Sequence, residues 1–293
     1  MYSGVGGPNG ADYVAEFLAR GFSPICETTL IGRHGSYPVE HLKIPAGTDL
    51  VVHSSGFNLT PDVVRRIRDA APLYLWTHND EIGWWRDRIA PVTNLVDVHF
   101  SYTRRHGWGD HVKYLPLAAD PTIYFPMEKR EDYDLALIGA ARHWRKTFCE
   151  LLERRGGFRC YWGWAMSTPA ADVNRIYNAT RVVIAPVQDC DEDEPGRAWG
   201  CPCRTFDVPA AGAFQIQVDR GGLADVYPDA VALPAIRDID AAADFWLAEI
   251  RSWLDNPGAR RDQADRDYRE TISRHTYRHR AQTMIDHFNG KGL

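Results

Sequence analysis

The 293-residue sequence lacks the segments that direct a chain across or into a membrane. Its first residues, MYSGVGGPNGADY, contain neither the basic stretch nor the apolar stretch of a secretory signal. No apolar run approaches the about 20 residues that a membrane-spanning helix needs. The net charge of −5 leaves no basic surplus to drive non-specific binding to nucleic acids. These absences predict a cytoplasmic protein without a membrane span.

Cysteine residues are few and scattered, at positions 26, 149, 160, 190, 201 and 203. Cys201 and Cys203 form a C-x-C pair with Cys190 upstream, but no fourth ligand follows at the spacing of a zinc site. We therefore expect reduced thiols and no metal ion at these cysteines.

The sequence does contain short apolar runs that alternate with helical segments, a pattern typical of α/β folds with parallel sheets. Strands are predicted at 49–53, 73–76, 96–101, 112–115, 134–139, 158–162, 182–185, 214–218 and 231–233. Helices are predicted at 11–20, 144–154, 170–179, 241–254 and 276–288, and within residues 60–72 after the N-cap Thr60. The strand expected before the first helix is missing unless residues 2–5 form a very short one.

The apolar pattern is interrupted once, at DPTIYFPMEKREDYD, residues 120–134, where two prolines and a charged run predict a linker. We therefore expect two Rossmann-like domains, residues 1–125 and 126–275, facing a cleft. The C-terminal helical segment, residues 276–293, could pack on its own domain or cross back to the first. In such sheets ligands bind beyond the carboxyl ends of the strands, so the cleft is the expected site.

One segment carries a family resemblance. RTFDVPAAGAFQIQVD, residues 204–219, places an arginine, an aromatic, an acidic residue, small residues, a glycine and a strand in one order. That order resembles the nucleotide-sugar segment of GT-B glycosyltransferases of group 1, in particular the branch of spore-maturation-type proteins. Further segments resemble the same family in the same order along the chain: LWTHNDE at 75–81, YLPLAADPTIYFP at 114–126, DLALIGAARHWRKTF at 134–148, ADVNRIYNATRVVIAP at 171–186 and HTYRHRAQTM at 275–284.

The resemblance implies a GT-B fold in which the first domain holds the acceptor and the second holds the donor. It implies a hexosyl- or pentosyltransferase that moves a sugar from a nucleoside diphosphate sugar, such as a UDP-sugar, to a hydroxyl acceptor. The nucleotide sugar is a co-substrate, so no cofactor is expected, and the reaction is expected to need no metal.

The resemblance also implies donor-site residues. A carboxylate suits the ribose diol, and Asp207 stands where relatives usually have glutamate. Arg204 is placed for a bidentate contact with the diphosphate. The loop 139–145 offers helix N-terminal amides to the same group. Further donor residues are expected at Arg142, Arg145, Lys146, Trp162 and Gly212, the glycine because its backbone can approach the ligand closely.

Two departures from the family pattern concern acidic residues. A second glutamate often lies eight positions before the ribose carboxylate in retaining relatives, but Trp199 stands there and Glu194 is off register. The paired-glutamate mechanism is therefore not carried over. The acidic run 189–194 is interpreted as a solvated loop over the donor site, with a metal site as the alternative.

Catalytic candidates follow the first-domain strand at 73–76. A base must take the proton of the acceptor hydroxyl, and we expect Asp80 first and His78 second in this role. His53, Ser54 and Glu81 are expected to bind the acceptor. The alternative is that these residues only form a turn and cap a helix, because Asn-Asp-Glu is also typical of a strand-to-helix turn with an N-cap.

Other interpretations remain open from the sequence. Arg204 and Asp207 could be a surface ion pair one helical turn apart. The chain could bind nucleotide sugars without catalysis, or its acceptor could be a modified base in phage DNA, which the acidic net charge disfavours.

Overall fold

A computed structural model describes residues 2–3, 10–31, 42–54, 59–78, 87, 89–103, 111–139, 143–164, 168–186 and 200–290. The predicted site residues Asp80, Glu81 and Arg142 lie outside these ranges, as does the acidic run 189–194. The chain forms two compact units, of which unit 1 comprises residues 1–117 and 277–293 and unit 2 comprises residues 118–276.

Unit 1 contains a five-stranded sheet in which all neighbouring strands are parallel, as predicted. The spatial order is β1-β2-β3-β4-β5. The strands are β1 Tyr2–Ser3, β2 Val51–Ser54, β3 Leu73–Thr77, β4 Val98–Ser101 and β5 Val112–Tyr114. The strand that the sequence left uncertain before the first helix is present and short: β1 pairs Tyr2 with His53 and Ser3 with Ser54.

The helices described in unit 1 are α1 Gly10–Phe22, α2 Pro61–Arg68, α3 Ala90–Thr93 and α10 Tyr277–Phe288. Helix α2 begins as predicted, because the Thr60 side chain accepts a hydrogen bond from the Val63 amide at 3.3 Å and Pro61 is the first helical residue. Among the described residues, no helix of either unit is long and apolar enough to cross a bilayer.

Strand β3 shows how the sheet of unit 1 is covered on both faces. Leu73 and Leu75 point to one face, into a core that includes Val64 and Ile67 of α2. The alternate residues point to the other face, where the Trp76 ring meets Tyr277 and the Tyr74 ring meets His287, both on α10. This two-residue alternation is the period of a strand with a helical layer on each side.

Helix α10 packs against α1, so the C-terminal helix belongs to unit 1 and crosses back to the first domain. Phe17 of α1 meets Tyr277 edge-on, with ring centroids 5.6 Å apart. Buried Arg280 anchors the same helix by donating to the carbonyl oxygens of Pro116 and Leu117, at 2.7 Å and 2.8 Å.

Gly21 lies where α1 and α10 are in close backbone contact. A Cβ there would lie 2.5 Å from the carbonyl oxygen of Tyr277 and 2.9 Å from the amide nitrogen of Arg278, both backbone atoms. We expect Gly21→Ala to lower the free energy of unfolding by about 2–3 kcal/mol, because backbone atoms cannot yield as a side chain can. Denaturant unfolding measures this effect. Gly258→Ala is the matched control, since nothing lies within 4 Å of its Cβ, and equal stability of the two variants would contradict the prediction.

Unit 2 contains a second five-stranded parallel sheet, with the order β10-β9-β8-β6-β7. Its strands are β6 Tyr133–Ile138, β7 Cys160–Gly163, β8 Thr180–Ala185, β9 Gln215–Val218 and β10 Ala232–Leu233. The chain goes from β6 to β7 on one side and then to β8 on the other. The strand order therefore reverses between β6 and β8, and such a switch point leaves a crevice at the carboxyl ends of the two strands.

The helices described in unit 2 are α4 His143–Gly156, α5 Ala170–Asn178, α6 Arg204–Ala210, α7 Leu223–Val226, α8 Ile239–Leu254 and α9 Pro257–Arg274. Helices α4 and α8 cover one face of the sheet, where Phe148 and Trp246 pack edge-on in the core. Helix α9 was not predicted, and it packs against α6.

The segment predicted as a linker, residues 120–134, belongs to unit 2. The stretch before β6, residues 118–132, is called here the strap. Phe125 is held by two asparagines of α5. Its amide donates to Asn174 Oδ1 at 3.3 Å, and its carbonyl accepts from Asn174 Nδ2 at 3.2 Å and Asn178 Nδ2 at 3.1 Å. Asn178 Oδ1 also accepts from the Met127 amide at 2.7 Å. The strap is thus held by hydrogen bonds of its backbone groups. In a free linker these groups would instead form hydrogen bonds with water.

Candidate functional site

The predicted donor residues meet near the switch point of unit 2. Helix α4 begins shortly after β6, and α6 carries both Arg204 and Asp207. The Arg204 guanidinium donates through Nη2 to the carbonyl oxygen of Ile138, the last residue of β6. Arg204 therefore lies at the carboxyl end of β6, where a parallel sheet of this order binds its ligand.

The Arg204 side chain uses one of its N–H groups within the protein, through Nη2, and leaves another without a partner among the described residues. Its Nε is buried and has no hydrogen-bond partner among the described residues. The Tyr177 hydroxyl of α5 lies beside the guanidinium, and burial raises the pKa of that phenol. A half-buried cation with a buried, unsatisfied N–H group can take up an anionic ligand at little further desolvation cost.

Asp207 is a buried carboxyl group, only 7% exposed. Its Oδ1 has no hydrogen-bond partner among the described residues. Burial raises the pKa of Asp207 well above its usual value; the Arg204 charge opposes this shift and the Asp120 carboxylate adds to it. An unsatisfied acceptor inside a protein is costly, so this oxygen is suited to a ligand that brings hydroxyl donors. The alternative of a surface ion pair is wrong, because Asp207 is not on the surface.

A second arginine, Arg145 of α4, lies close to Arg204 and Gly139. Arg145 is 8% exposed, and its guanidinium carbon lies 5.6 Å from the centre of the Trp144 ring. A Cβ built on Gly139 would lie 3.3 Å from Arg145 Nη1 and would clash with Arg204 Nη2. The two guanidinium groups thus flank Gly139, while Lys146 is exposed on the next position of α4. Two cations around a glycine backbone form a concentrated positive site.

Gly139 allows a direct test of this arrangement. We expect Gly139→Ala to weaken binding of UDP-glucose about tenfold, because the methyl group would displace the two guanidinium groups. The ends of arginine side chains can move, so the unfolding temperature should change little. Titration calorimetry and thermal unfolding measure the two effects, with Gly258→Ala as the control. Unchanged affinity, or a loss explained by unfolding, would contradict the prediction.

Two other predicted donor residues have partners within the protein. Gly212 has φ +64°, and a Cβ there would lie 3.1 Å from Pro126 of the strap. Trp162 lies within β7, and its indole N–H donates to Glu153 Oε2 at 2.8 Å. The presence of a glycine at position 212 is explained by the positive φ of the turn after α6 and by the close approach of the strap. The donor roles of both residues stay predictions.

Unit 1 brings three of the predicted acceptor-side residues together at the carboxyl ends of β2 and β3. Ser54 ends β2, and its Oγ lies 3.1 Å from Nε2 of His78, which follows β3. Burial lowers the pKa of His78 to about 4. Burial also lowers the pKa of His53 to about 3, helped by the amino terminus and by His78. Both imidazoles are therefore neutral at pH 7, and a neutral imidazole can accept a proton.

Sequence reasoning missed two residues that interact with Arg204 or Asp207, namely Tyr177 and Asp120. Asp120 is 4% exposed, and its Oδ1 accepts from the Thr122 amide at 2.9 Å and the Thr122 hydroxyl at 2.7 Å. Both lay in segments already matched to the family, but no motif marks them as neighbours of Arg204 and Asp207. Only the packing of α5 and the strap brings them there.

The comparison with family models finds one match, a family described as glycosyl transferase-like, over residues 124–286. Among curated proteins, no sequence matches the chain. Solved structures share the fold at low identity. Anabaena HepE in complex with UDP has a TM-score of 0.58 and 10% identity, covering 83% of this chain and 79% of that one.

Two further structures are similar. An alpha-glucosyltransferase in complex with UDP and a 13-mer DNA has a TM-score of 0.57 and 7% identity, covering 82% of this chain and 79% of that one. The alpha,alpha-trehalose 6-phosphate synthase of Burkholderia multivorans has a TM-score of 0.55 and 12% identity, covering 86% and 72%.

The two parallel sheets and the similar solved structures show that the chain has the GT-B fold. The matched family model spans more than half of the chain, and the chain belongs to the glycosyl transferase-like family. The predicted fold and family are thereby confirmed. The narrower assignment to the spore-maturation branch stays a prediction.

Proposed function

We propose that this protein is a hexosyl- or pentosyltransferase that uses a UDP-sugar and acts without a metal ion or cofactor. Unit 2 binds the donor through Arg204 and Asp207, and a hydroxyl group accepts the sugar. UDP is the chosen nucleotide because two structurally similar proteins were solved with it. A cytoplasmic location is part of the same proposal.

The observation that carries the proposal is the pair of buried, unsatisfied polar atoms on α6. Arg204 Nε is a donor without an acceptor, and Asp207 Oδ1 is an acceptor without a donor, within the described part of the chain. A nucleoside diphosphate has a diphosphate for the first and ribose hydroxyls for the second. The pairing supports a ligand with both groups, since each satisfies one of the atoms.

The chemistry assigned to the donor side is stabilisation of the leaving diphosphate. Negative charge grows on the diphosphate as the glycosidic bond breaks, and cations already in place stabilise that charge without reorganising. Arg204 and Arg145 flank Gly139 for this role. Lys146 and Arg142 are assigned to the same group from the family resemblance.

The chemistry assigned to unit 1 is activation of the acceptor hydroxyl. Asp80 is the first candidate for the base and His78 the second, and Glu81 with His53 and Ser54 is assigned to acceptor binding. Burial keeps the His78 imidazole neutral at pH 7, but its low pKa also makes it a weak base, which supports its place as the second candidate; Ser54 lies within hydrogen-bond distance to orient the ring.

Release of UDP tests the proposal. The protein is incubated with UDP-glucose, UDP-galactose and UDP-xylose, each with a panel of hydroxyl acceptors, with and without EDTA. We expect UDP release from at least one donor, unchanged by EDTA and lost in Arg204→Met. Absence of both binding and release for every nucleotide sugar would contradict the proposed function.

The same assay separates the two alternatives. Tight donor binding without release by any acceptor would identify a nucleotide-sugar-binding module. Release only with DNA that carries a hydroxylated base would identify a DNA glycosyltransferase, as one of the similar structures is solved with DNA. Of the first-domain arginines that could line a DNA site, Arg65 is paired with Asp62, and Arg33, Arg104 and Arg105 lie outside the described residues.

A further inference from the structure

Helix α6 carries the donor residues but has little stability of its own. It spans seven residues and contains Pro209, and its N-cap residue, Cys203, makes no side-chain cap hydrogen bond. A helix this short is marginal in water, and an internal proline removes one backbone donor. Packing holds the middle of the helix, where Phe206 contacts the rings of Tyr227 and His275, and further contacts hold its two ends.

The two ends are held by different groups. At the amino end, Arg204 itself donates to Ile138, a contact that shares its guanidinium with the proposed ligand. At the carboxyl end, Lys129 of the strap donates through Nζ to the carbonyl oxygen of Gly212 at 2.9 Å and to Asn178 Oδ1 at 3.4 Å. Pro126 packs on Gly212 from the same side. Of these two end contacts, the second does not involve a side chain that is assigned to the ligand.

We propose that Lys129 is a positioning residue for the donor site. Its ammonium group links the turn after α6 to α5 and so holds the end of α6 in place. The proposal rests on the proposed function. The charge suits the place, because a cation near the carboxyl end of a helix is favoured by the helix dipole. Asn178, which shares the ammonium, also holds Phe125 and Met127, so one hydrogen-bonded cluster joins the strap, α5 and the end of α6.

Lys129 is itself exposed, which makes the proposal testable without opening a cavity. Lys129→Met keeps most of the side-chain length and removes the hydrogen bonds. Lys129→Arg keeps the charge and the donors. Arg130→Met is the matched control, since this neighbouring exposed cation has no hydrogen bond or ion pair within the described ranges.

The measurements are amide hydrogen exchange over residues 204–213 and calorimetric binding of UDP-glucose. We expect Lys129→Met to speed exchange in this segment about tenfold and to weaken UDP-glucose about tenfold, with the unfolding temperature nearly unchanged. Lys129→Arg should recover both values to within about threefold, and Arg130→Met should match the wild type.

Wild-type exchange and affinity in Lys129→Met would overturn the proposal, as would an equal loss in Lys129→Arg. Failure of the proposed function looks different. If the wild type does not bind UDP-glucose, the donor role is wrong for the whole site, and the exchange rates alone decide whether Lys129 holds α6.

Discussion

Arg204→Met is expected to weaken binding of UDP-glucose by about 100-fold and to lower kcat/KM by about 1,000-fold. The affinity falls because a charge-assisted contact to the diphosphate is lost, and the rate falls further because the same cation stabilises the charge that develops on the leaving group. Calorimetry measures the first effect, and initial rates of UDP release measure the second.

Two variants make this result specific. Arg175→Met is the control, because Arg175 is an exposed arginine of the same unit that pairs with Asp172 on the surface of α5. It should leave both quantities unchanged. Arg204→Lys should recover only part of the affinity, since an ammonium group cannot make a bidentate contact. A fully active Arg204→Met protein would contradict the assigned role.

Asp207→Asn is expected to change binding and stability in opposite directions. An acid with a raised folded-state pKa binds more protons folded than unfolded. The wild type therefore loses stability as pH rises from about 4, the unfolded pKa of aspartate, through the raised pKa of Asp207. Asparagine removes this charge, so we expect the variant to be more stable at pH 8 by about 1–3 kcal/mol and no more stable at pH 3.

The same substitution tests the role of Asp207 in binding. If ribose hydroxyls donate to the ionised carboxylate, the affinity of the wild type for UDP-glucose rises as pH increases through the pKa of Asp207. Asp207→Asn should show no such rise and should bind about tenfold more weakly than the wild type at the pH where the wild-type affinity levels off. UDP-glucose is the suitable probe, because its diphosphate is a diester without a proton to lose in this range. A parallel pH dependence in the variant would exclude Asp207 as the titrating group.

Most strands could be predicted because each is a short apolar run between turn residues. Strand β6 was predicted at 134–139 and spans Tyr133–Ile138, and β9 was predicted at 214–218 and spans Gln215–Val218. The sheets of this fold are buried on both faces, so the runs are nearly continuous and easily recognised. The errors at the ends are one or two residues; among the predicted site residues they affect Ser54, which the prediction put just after the strand and which is the last residue of β2.

Helix α9 could not be predicted because its buried face is polar. The residues that it buries are Arg260, Gln263, Ala264, Asp267 and Thr271, and only one of these is apolar. The Arg260 guanidinium is satisfied by the carbonyl oxygens of Trp253 and Leu254, and Gln263 donates to Asp267 Oδ1 at 2.9 Å. Apolar periodicity is the signal used to find helices, and a face satisfied by hydrogen bonds does not produce it.

The surroundings of the predicted donor residues could be predicted only in part. The order of residues in 204–219 indicated Arg204 and Asp207, but not that the carboxyl group is buried or that its Oδ1 lacks a partner. Burial depends on α5 and the strap, whose contacts with α6 come from residues far apart in the sequence. The same reason explains why Gly212 was assigned to ligand approach, while the structure places it against Pro126.

A crystal structure of the protein with UDP is the most direct test of the central claim, that α6 and the end of β6 in unit 2 form the nucleotide site. The account predicts the diphosphate within hydrogen-bond distance of Arg204, beside Gly139, and a ribose hydroxyl on Asp207 Oδ1. UDP bound elsewhere, with Arg204 Nε and Asp207 Oδ1 still unpartnered, would contradict it.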